Sequence, residues 1–372
     1  YNAVLPRVKN AIRDVRVLAF PAPAGDGEAL RAVRIISTQG DELTQLLDGQ
    51  PHELPENKDY GQLSLTWEFE TPQTVRSVLF THHNGNQRAG KLLASENGSD
   101  FKPVRDFTLD RRGGDQVLLP SCPSGVSTLP TTAKFFRIEM PWHTGRDGRT
   151  LGIALSSGAR LELAEEKQLA IASRQNTPPW DTFMWPVTPE PGAGTTIAPD
   201  KVVDLTSKVG ADGRLNWEVP AGNWVIQRVS TIQTGSKAGP TPKDMEGFDI
   251  DKMSKEAAKR HIDNGLVKGL WNRLTPAERK GLTHAIADSY EQGYQNWTPE
   301  MIPEFIKRYG YDPTPWLPVF SGRIVGSAAQ SDRFLWDVRR LVADLIATNY
   351  VGGLRDAVNP LGMKLWLEPY GH

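Results

Sequence analysis

Residues 282–310, LTHAIADSYEQGYQNWTPEMIPEFIKRYG, decide how the second half of the chain is read. Leu282, Ala285 and Ile286 belong to a short apolar run whose length suits a buried strand, and the polar stretch ADSYEQGYQNW at 287–297 follows as a loop. Thr298-Pro299 then predicts a helix start, because a threonine hydroxyl can cap the free N–H groups of a first turn and proline has no N–H to lose there. Gly310 ends that helix. Strand, polar loop and helix in this order make one unit of a parallel α/β fold.

The same alternation continues on both sides. NWVIQRVSTI, from Asn223, reads as a largely apolar strand, and the helical run from Asp251 to Leu274 has Ser254 as its cap. Thr275, Pro276 and Glu278 of TPAERK form a capping box on a short helix. Further on, Phe334, Leu335, Val338, Leu341, Val342, Leu345, Ile346 and Tyr350 recur at helical spacing, predicting one long amphipathic helix from Ser331 to about Ala357. MKLWLE, ending at Glu368, reads as another buried strand. The closed form of such a series is a (β/α)8 TIM-type barrel.

The amino-terminal half has a different period. In LSLTWEFE, Leu63, Leu65, Trp67 and Phe69 face one way and Ser64, Thr66, Glu68 and Glu70 the other, as in a strand with one buried face. VRSVLFTHH, GKLLASENGSDFKPV and AKFFRIEM follow similarly, with Asn97-Gly98 as a turn pair. Strands about ten residues apart predict a β-sandwich. In GRLNWEVPAGN, Leu215, Trp217 and Val219 alternate again. The expected layout is a connecting segment at 1–27, a β-sandwich at 28–176, a Pro-rich connector with a small β region at 177–222, and part of a barrel at 223–372.

Composition excludes several classes of function. The 372 residues carry 43 Lys+Arg against 44 Asp+Glu, a net charge of −1, which is not the profile of a nucleic-acid binder. At about 150 residues per domain, two or three domains are expected. No uncharged apolar stretch is long enough to span a bilayer. Cys122 is the single cysteine, so neither a disulfide framework nor a cysteine metal cluster is available. No Walker loop or Gly-x-Ser-x-Gly elbow occurs, and GRDGRTLG lacks the strand and helix of a dinucleotide loop.

Chemistry in a parallel α/β barrel sits at the carboxyl ends of strands. ADSYEQGYQNW offers Asp288, Tyr290, Glu291, Asn296 and Trp297 there, and LEPYGH offers Glu368, Tyr370 and His372. Acids among aromatic and amide groups suit a sugar: rings stack on pyranose faces, amides bond hydroxyls, and acids handle the proton at the glycosidic oxygen. An acid at a strand end can equally be a helix cap or an ion-pair partner. Glu246, Asp249 and Asp251 of EGFDIDK are close enough to hold a cation but too irregular for an EF-hand. His82-His83 could bind metal but lacks a third ligand at a suitable spacing. His261 is expected on a helix surface and His284 packed within a strand.

These motifs carry a resemblance. EGFDIDKMSKEAAKRHI, the long run from LTHAIADSYEQGYQNWTPEMIPEFIKRYGYDPTPWLP to Tyr350, and LWLEPYGH resemble the catalytic region of glycoside hydrolase family 106, bacterial α-L-rhamnosidases. The order of strand segments at 28–176 resembles a galactose-binding-like jelly roll. The resemblance implies an inverting exo-hydrolase releasing terminal α-L-rhamnose from plant polysaccharides or glycosides, in the periplasm or outside the cell, with the cytosol left open. It implies a calcium ion (Ca2+) near the sugar, Glu291 as general acid and Asp288 as an acidic neighbour. Glu368 then contacts substrate or cation, and the general base lies on a later strand. Inverting chemistry needs two carboxyl groups about 6.5–9.5 Å apart, which Asp288 and Glu291 on one loop would not provide. A barrel needs about 250 residues, so the chain is expected to be an internal segment, inactive alone. A non-catalytic carbohydrate-binding protein, or a glycosidase for another deoxysugar or a uronic acid, remains the alternative.

Overall fold

The computed structural model describes residues 1–7, 11–27, 29–55, 61–82, 88–109, 124–142, 150–168, 187–235, 237, 242–245, 247–287 and 295–368. Its strands before residue 160 are β1 (Asn2–Val4), β2 (Ala11–Pro21), β3 (Arg34–Ser37), β4 (His52–Glu53), β5 (Gly61–His82), β6 (Arg88–Ser95), β7 (Lys102–Leu109), β8 (Ser124–Trp142) and β9 (Thr150–Ser156). Then come α1 (Ala164–Lys167), β10 (Val203–Asp204), β11 (Arg214–Asn216), β12 (Trp224–Ile232), α2 (Lys255–Ile262) and α3 (Pro276–Arg279). The chain finishes with β13 (His284–Ala287), α4 (Met301–Tyr309), α5 (Ala328–Leu345), α6 (Gly352–Val358) and β14 (Lys364–Leu367). This mixture of sheets and helices forms two compact units. One comprises Tyr1–Pro6, Arg16–Val229 and Thr314–Leu335; the other comprises Arg7–Val15, Ser230–Pro313 and Trp336–His372.

The first unit is dominated by a seven-stranded antiparallel sheet in the order β4-β9-β5-β8-β6-β7, with β3 also on β5. The alternation read in LSLTWEFE holds: Leu63, Leu65, Trp67 and Phe69 are buried. Leu65 faces Ile138 and Trp67 faces Phe136 across the β5–β8 ladder, so apolar side chains from adjacent strands share one face. On the opposite face Arg34 and Glu68 form an ion pair at 2.6 Å. The β5–β8 register breaks between Glu68 and Gln73, around Pro72, which has no N–H to give to a ladder. Before the break β5 pairs with β3, and from Ser77 onward it pairs with β9.

The Asn97-Gly98 turn is also as read. Asn97 Oδ1 accepts from the N–H groups of Ser99 and Asp100, and Gly98 adopts φ 79°, a conformation costly for any side-chain-bearing residue. Gly90 serves a different need. It faces Phe107 across β6–β7, and a Cβ there would lie 2.3 Å from the Phe107 ring, itself buried against Phe80. Gly90→Ala should therefore destabilise the chain by about 1–3 kcal/mol through forced displacement of that ring. An unchanged denaturation midpoint would mean that the ring yields freely.

Two smaller sheets complete this part of the chain, β1 with β11 and β10-β2-β12. Leu5, Val17, Ala19, Leu205, Leu215 and Trp217 form a second apolar cluster, in which the Trp217 and Trp224 rings meet edge to face at 5.3 Å. Val219 does not continue the alternation. β11 ends at Asn216, ahead of Pro220, and Val219 is 40% exposed.

In the second unit, Ser254 caps α2 by accepting from the Ala257 N–H, and Thr275 and Glu278 form the expected capping box on α3. α4 starts two residues later than Thr298-Pro299 predicts. The Thr298 hydroxyl is donated to Asp251 Oδ2 at 2.7 Å instead of accepting from the first turn, and Glu300 stands at the cap position. Gly310 closes α4 as expected, with φ 76° and its N–H on the Ile306 carbonyl at 2.8 Å. The long predicted helix is continuous from 328 to 358 but includes a π-type run at 346–351 between α5 and α6. Among the described residues, no helix is long and apolar enough to cross a membrane.

β13 and β14 are parallel, as two strands separated by helices should be. They are not the buried strands their apolar sequences suggest. Exposed and half-buried residues alternate in both, Ile286 is 70% exposed, and its cross-strand partner Trp366 is 51% exposed. Among the described residues each has only the other as a neighbour, whereas β12 pairs with β2. Among the described residues this ribbon has no third strand to widen it.

Candidate active site

The two acid-bearing segments leave from one edge. β13 and β14 run parallel with Ala287 opposite Leu367, so their carboxyl ends coincide, and the Glu368 N–H donates to the Ala287 carbonyl at 3.2 Å. Glu368 is half-buried at this edge. Asp288, Tyr290 and Glu291, which follow Ala287 in the sequence, lie outside the described residues, as do Tyr370 and His372. Asn296 and Trp297 are described and half-buried.

Gln295, the first described residue after that segment, is held on both sides of its amide. Its Oε1 accepts from the Lys252 N–H at 3.0 Å, and its Nε2 donates to Asp251 Oδ1. Asp251 Oδ1 also accepts from the Met253 N–H at 3.0 Å, and Oδ2 takes the Thr298 hydroxyl. Both carboxylate oxygens are thus occupied by protein donors. The neighbouring Asp249 pairs with Lys252 at 3.1 Å. Burial, aided by the Asp249 charge, pushes the Tyr350 hydroxyl above its ordinary pKa, so it stays a neutral donor at neutral pH.

Beside this network lies a cleft of about 370 Å³, within the usual size range for small-ligand sites. Ile12, Ile232, Phe248 and Trp297 supply its apolar wall; Asp249 and Gln295 are among its polar groups. Ile12 is 60% exposed and Phe248 59%, a concentration of solvent-facing apolar surface of the kind that marks binding sites. Sequence reading found Trp297 but missed Ile12, Ile232 and Phe248. Nothing local marks them, because β2, β12 and the 247–252 segment meet only on folding.

EGFDIDK does not form a cation site among its described residues. Asp251 is saturated by N–H and O–H donors and Asp249 is paired with Lys252, while Glu246 lies outside the described residues. Among the described residues there is no group of three His, Cys, Asp or Glu placed to hold a metal ion. His83 is outside the described residues. His261 is exposed on α2 as expected, but His284 is exposed on β13 rather than packed. Trp67 is buried in the first unit's core and offers no face to a sugar. The groove on that unit, about 840 Å³ and lined by groups such as Asn97, Asp100, Lys102 and Thr131, has no aromatic ring among its described lining residues.

Comparison with known proteins gives the family. Residues 4–372 match the α-L-rhamnosidase family designated glycoside hydrolase 106. A rhamnosidase from Novosphingobium sp. PP1Y superimposes with a TM-score of 0.75 and 28% identity over 96% of this chain and 32% of its own. A putative beta-glucuronidase from Formosa agariphila is 37% identical over 174 residues, 47% of this chain and 15% of that protein. The chain thus spans about a third of the solved rhamnosidase and about a seventh of the curated relative. With the match extending over all but its first three residues, the chain belongs to the α-L-rhamnosidase family, glycoside hydrolase 106.

Proposed function

We propose that this chain is the acid-bearing part of an inverting, exo-acting glycoside hydrolase that releases terminal α-L-rhamnose from plant polysaccharides or glycosides. The observation that carries this reading is the in-register end of β13 and β14, which brings Ala287, the residue before the acid-bearing stretch, and Glu368 to one edge. Glu291 protonates the leaving glycosidic oxygen, Asp288 supports it, and Glu368 contacts the sugar or a cation. The resemblance puts the general base on a later strand, which would supply the second carboxyl group that inversion needs across the ring. Asn296, Trp297, Tyr290, Tyr370 and His372 line the sugar. In this reading, β13 and β14 are neighbours in a TIM-type barrel, and the seven-stranded sheet is the galactose-binding-like sandwich. Ca2+ is part of the proposal on the resemblance alone, as is a periplasmic or secreted location.

A second reading has a specific observation behind it. Similarity to the putative beta-glucuronidase over nearly half the chain allows the same site to act on a uronic acid. A panel of nitrophenyl glycosides given to the full-length protein separates the two. Release from the α-L-rhamnoside, lost on chelation and restored by Ca2+, is the expected result. Release from the glucuronide alone would transfer the assignment, release from neither would favour a binding protein, and indifference to chelation would remove the metal.

A further inference from the structure

EGFDIDK was a candidate cation site by its spacing, and the structure gives its central acid another task. Asp251 collects donors from two places: Met253 on its own segment, and Gln295 and Thr298 on the chain just after residues 288–294. Gln295 returns the contact by accepting the Lys252 N–H, so the two segments are tied in both directions. The Thr298 hydroxyl serves this tie while Glu300 stands at the cap position of α4. At the other end, Ala287 is fixed in the β13–β14 ladder and by the Glu368 N–H. Ala287 and Gln295, which flank residues 288–294 in the sequence, are thus each held by hydrogen bonds.

We propose that Asp251 is a positioning residue for the glycosidase reaction: by bonding Gln295 and Thr298 it anchors the carboxyl-terminal foot of the segment that bears Glu291. This rests on the reading of Glu291 as general acid. A carboxylate suits the task because it can accept three hydrogen bonds in fixed directions, and each is strengthened by its charge. Asn at this position keeps the shape but turns one acceptor into a donor facing protein donors. A small displacement of an acid from the leaving oxygen costs on the order of 100-fold in rate without any loss of contact to the substrate.

The test compares α-L-rhamnosides whose leaving groups differ in their need for protonation, using the full-length enzyme. For Asp251→Asn we expect kcat/KM to fall about 30- to 100-fold on phenyl rhamnoside but less than about 3-fold on the 2,4-dinitrophenyl compound, because an acidic phenol departs without a proton. The alkaline limb of the pH profile, where the acid loses its proton, should weaken in parallel. Thr298→Val, which removes one of the three donors, should change the same ratio in the same direction by a smaller factor, and it serves if the Asp251 variant does not fold. Equal losses on both substrates, or wild-type rates, would overturn the inference. Glu291→Gln run beside it separates the two ideas. A flat leaving-group response in the Asp251 variant alone removes the positioning role, whereas a flat response in both removes the general acid and the inference with it.

Discussion

Glu291→Gln in the full-length enzyme should lower kcat on phenyl α-L-rhamnoside by about 100- to 10,000-fold, the usual contribution of a positioned general acid. Glutamine has nearly the shape and hydrogen-bonding reach of glutamate but no transferable proton, so the departing phenoxide must leave without one. Substrate binding should be retained, and KM should change little. With 2,4-dinitrophenyl rhamnoside the loss should shrink sharply, because that leaving group is stable as an anion. A wild-type kcat on the phenyl compound would show that Glu291 is not the acid.

The second large effect concerns stability. Asp26 is 2% exposed at its side chain and sits between two arginines of the first unit, accepting from Arg160 Nη1 at 2.8 Å and from Arg323 at 2.9–3.1 Å. Arg323 also donates to the Ser321 hydroxyl and lies over the Phe20 ring, 5.7 Å from its centre. Burial, the largest single influence on Asp26, pushes its carboxyl up. The hydrogen bonds and charges of Arg323 and Arg160 together outweigh it and hold the group below the ordinary carboxylate range.

Asp26→Ala removes the carboxylate that both guanidinium groups share, and breaking a buried ion pair from one side costs about 3–5 kcal/mol. For a domain of 150–250 residues that corresponds to a Tm lower by roughly 6–20 °C. Calorimetry on wild type and variant reads this directly; a drop under a few degrees would mean the arginines find other partners. The pH dependence has a definite sign. The folded pKa is lowered, so the stabilisation by Asp26 is fully present above the unfolded carboxylate value of about 4 and is lost as the pH falls through the lower folded value. The Tm difference between wild type and Asp26→Ala should therefore narrow in acid and stay constant from pH 5 to 7.

Much of the local structure was legible. The alternation of Leu63, Leu65, Trp67 and Phe69, the turn at Asn97-Gly98, the caps at Ser254 and Thr275 and the stop at Gly310 all appear where the residues indicate. Each depends on residues a few positions apart. Thr298 was misread because its partner, Asp251, is 47 positions away. The exposure of Ile286 and Trp366 was missed for a related reason: an apolar run announces a strand, but burial depends on which layers come to cover it.

At the candidate site the same division holds. By itself the sequence determined the chemistry on offer, two strand ends bearing acids, aromatics and an amide, and it determined the family, because those motifs are long and specific. Tertiary structure alone decided that the ends of β13 and β14 are adjacent, that Asp251 is a hydrogen-bond hub, and that Ile12, Ile232 and Phe248 share a cleft with Trp297. The physical reason is range. Period, capping and turn preference are energies between near neighbours and can be read in order along the chain, whereas ladders, ion pairs and cleft walls join residues whose proximity exists only after the whole unit has paid its conformational entropy and packed.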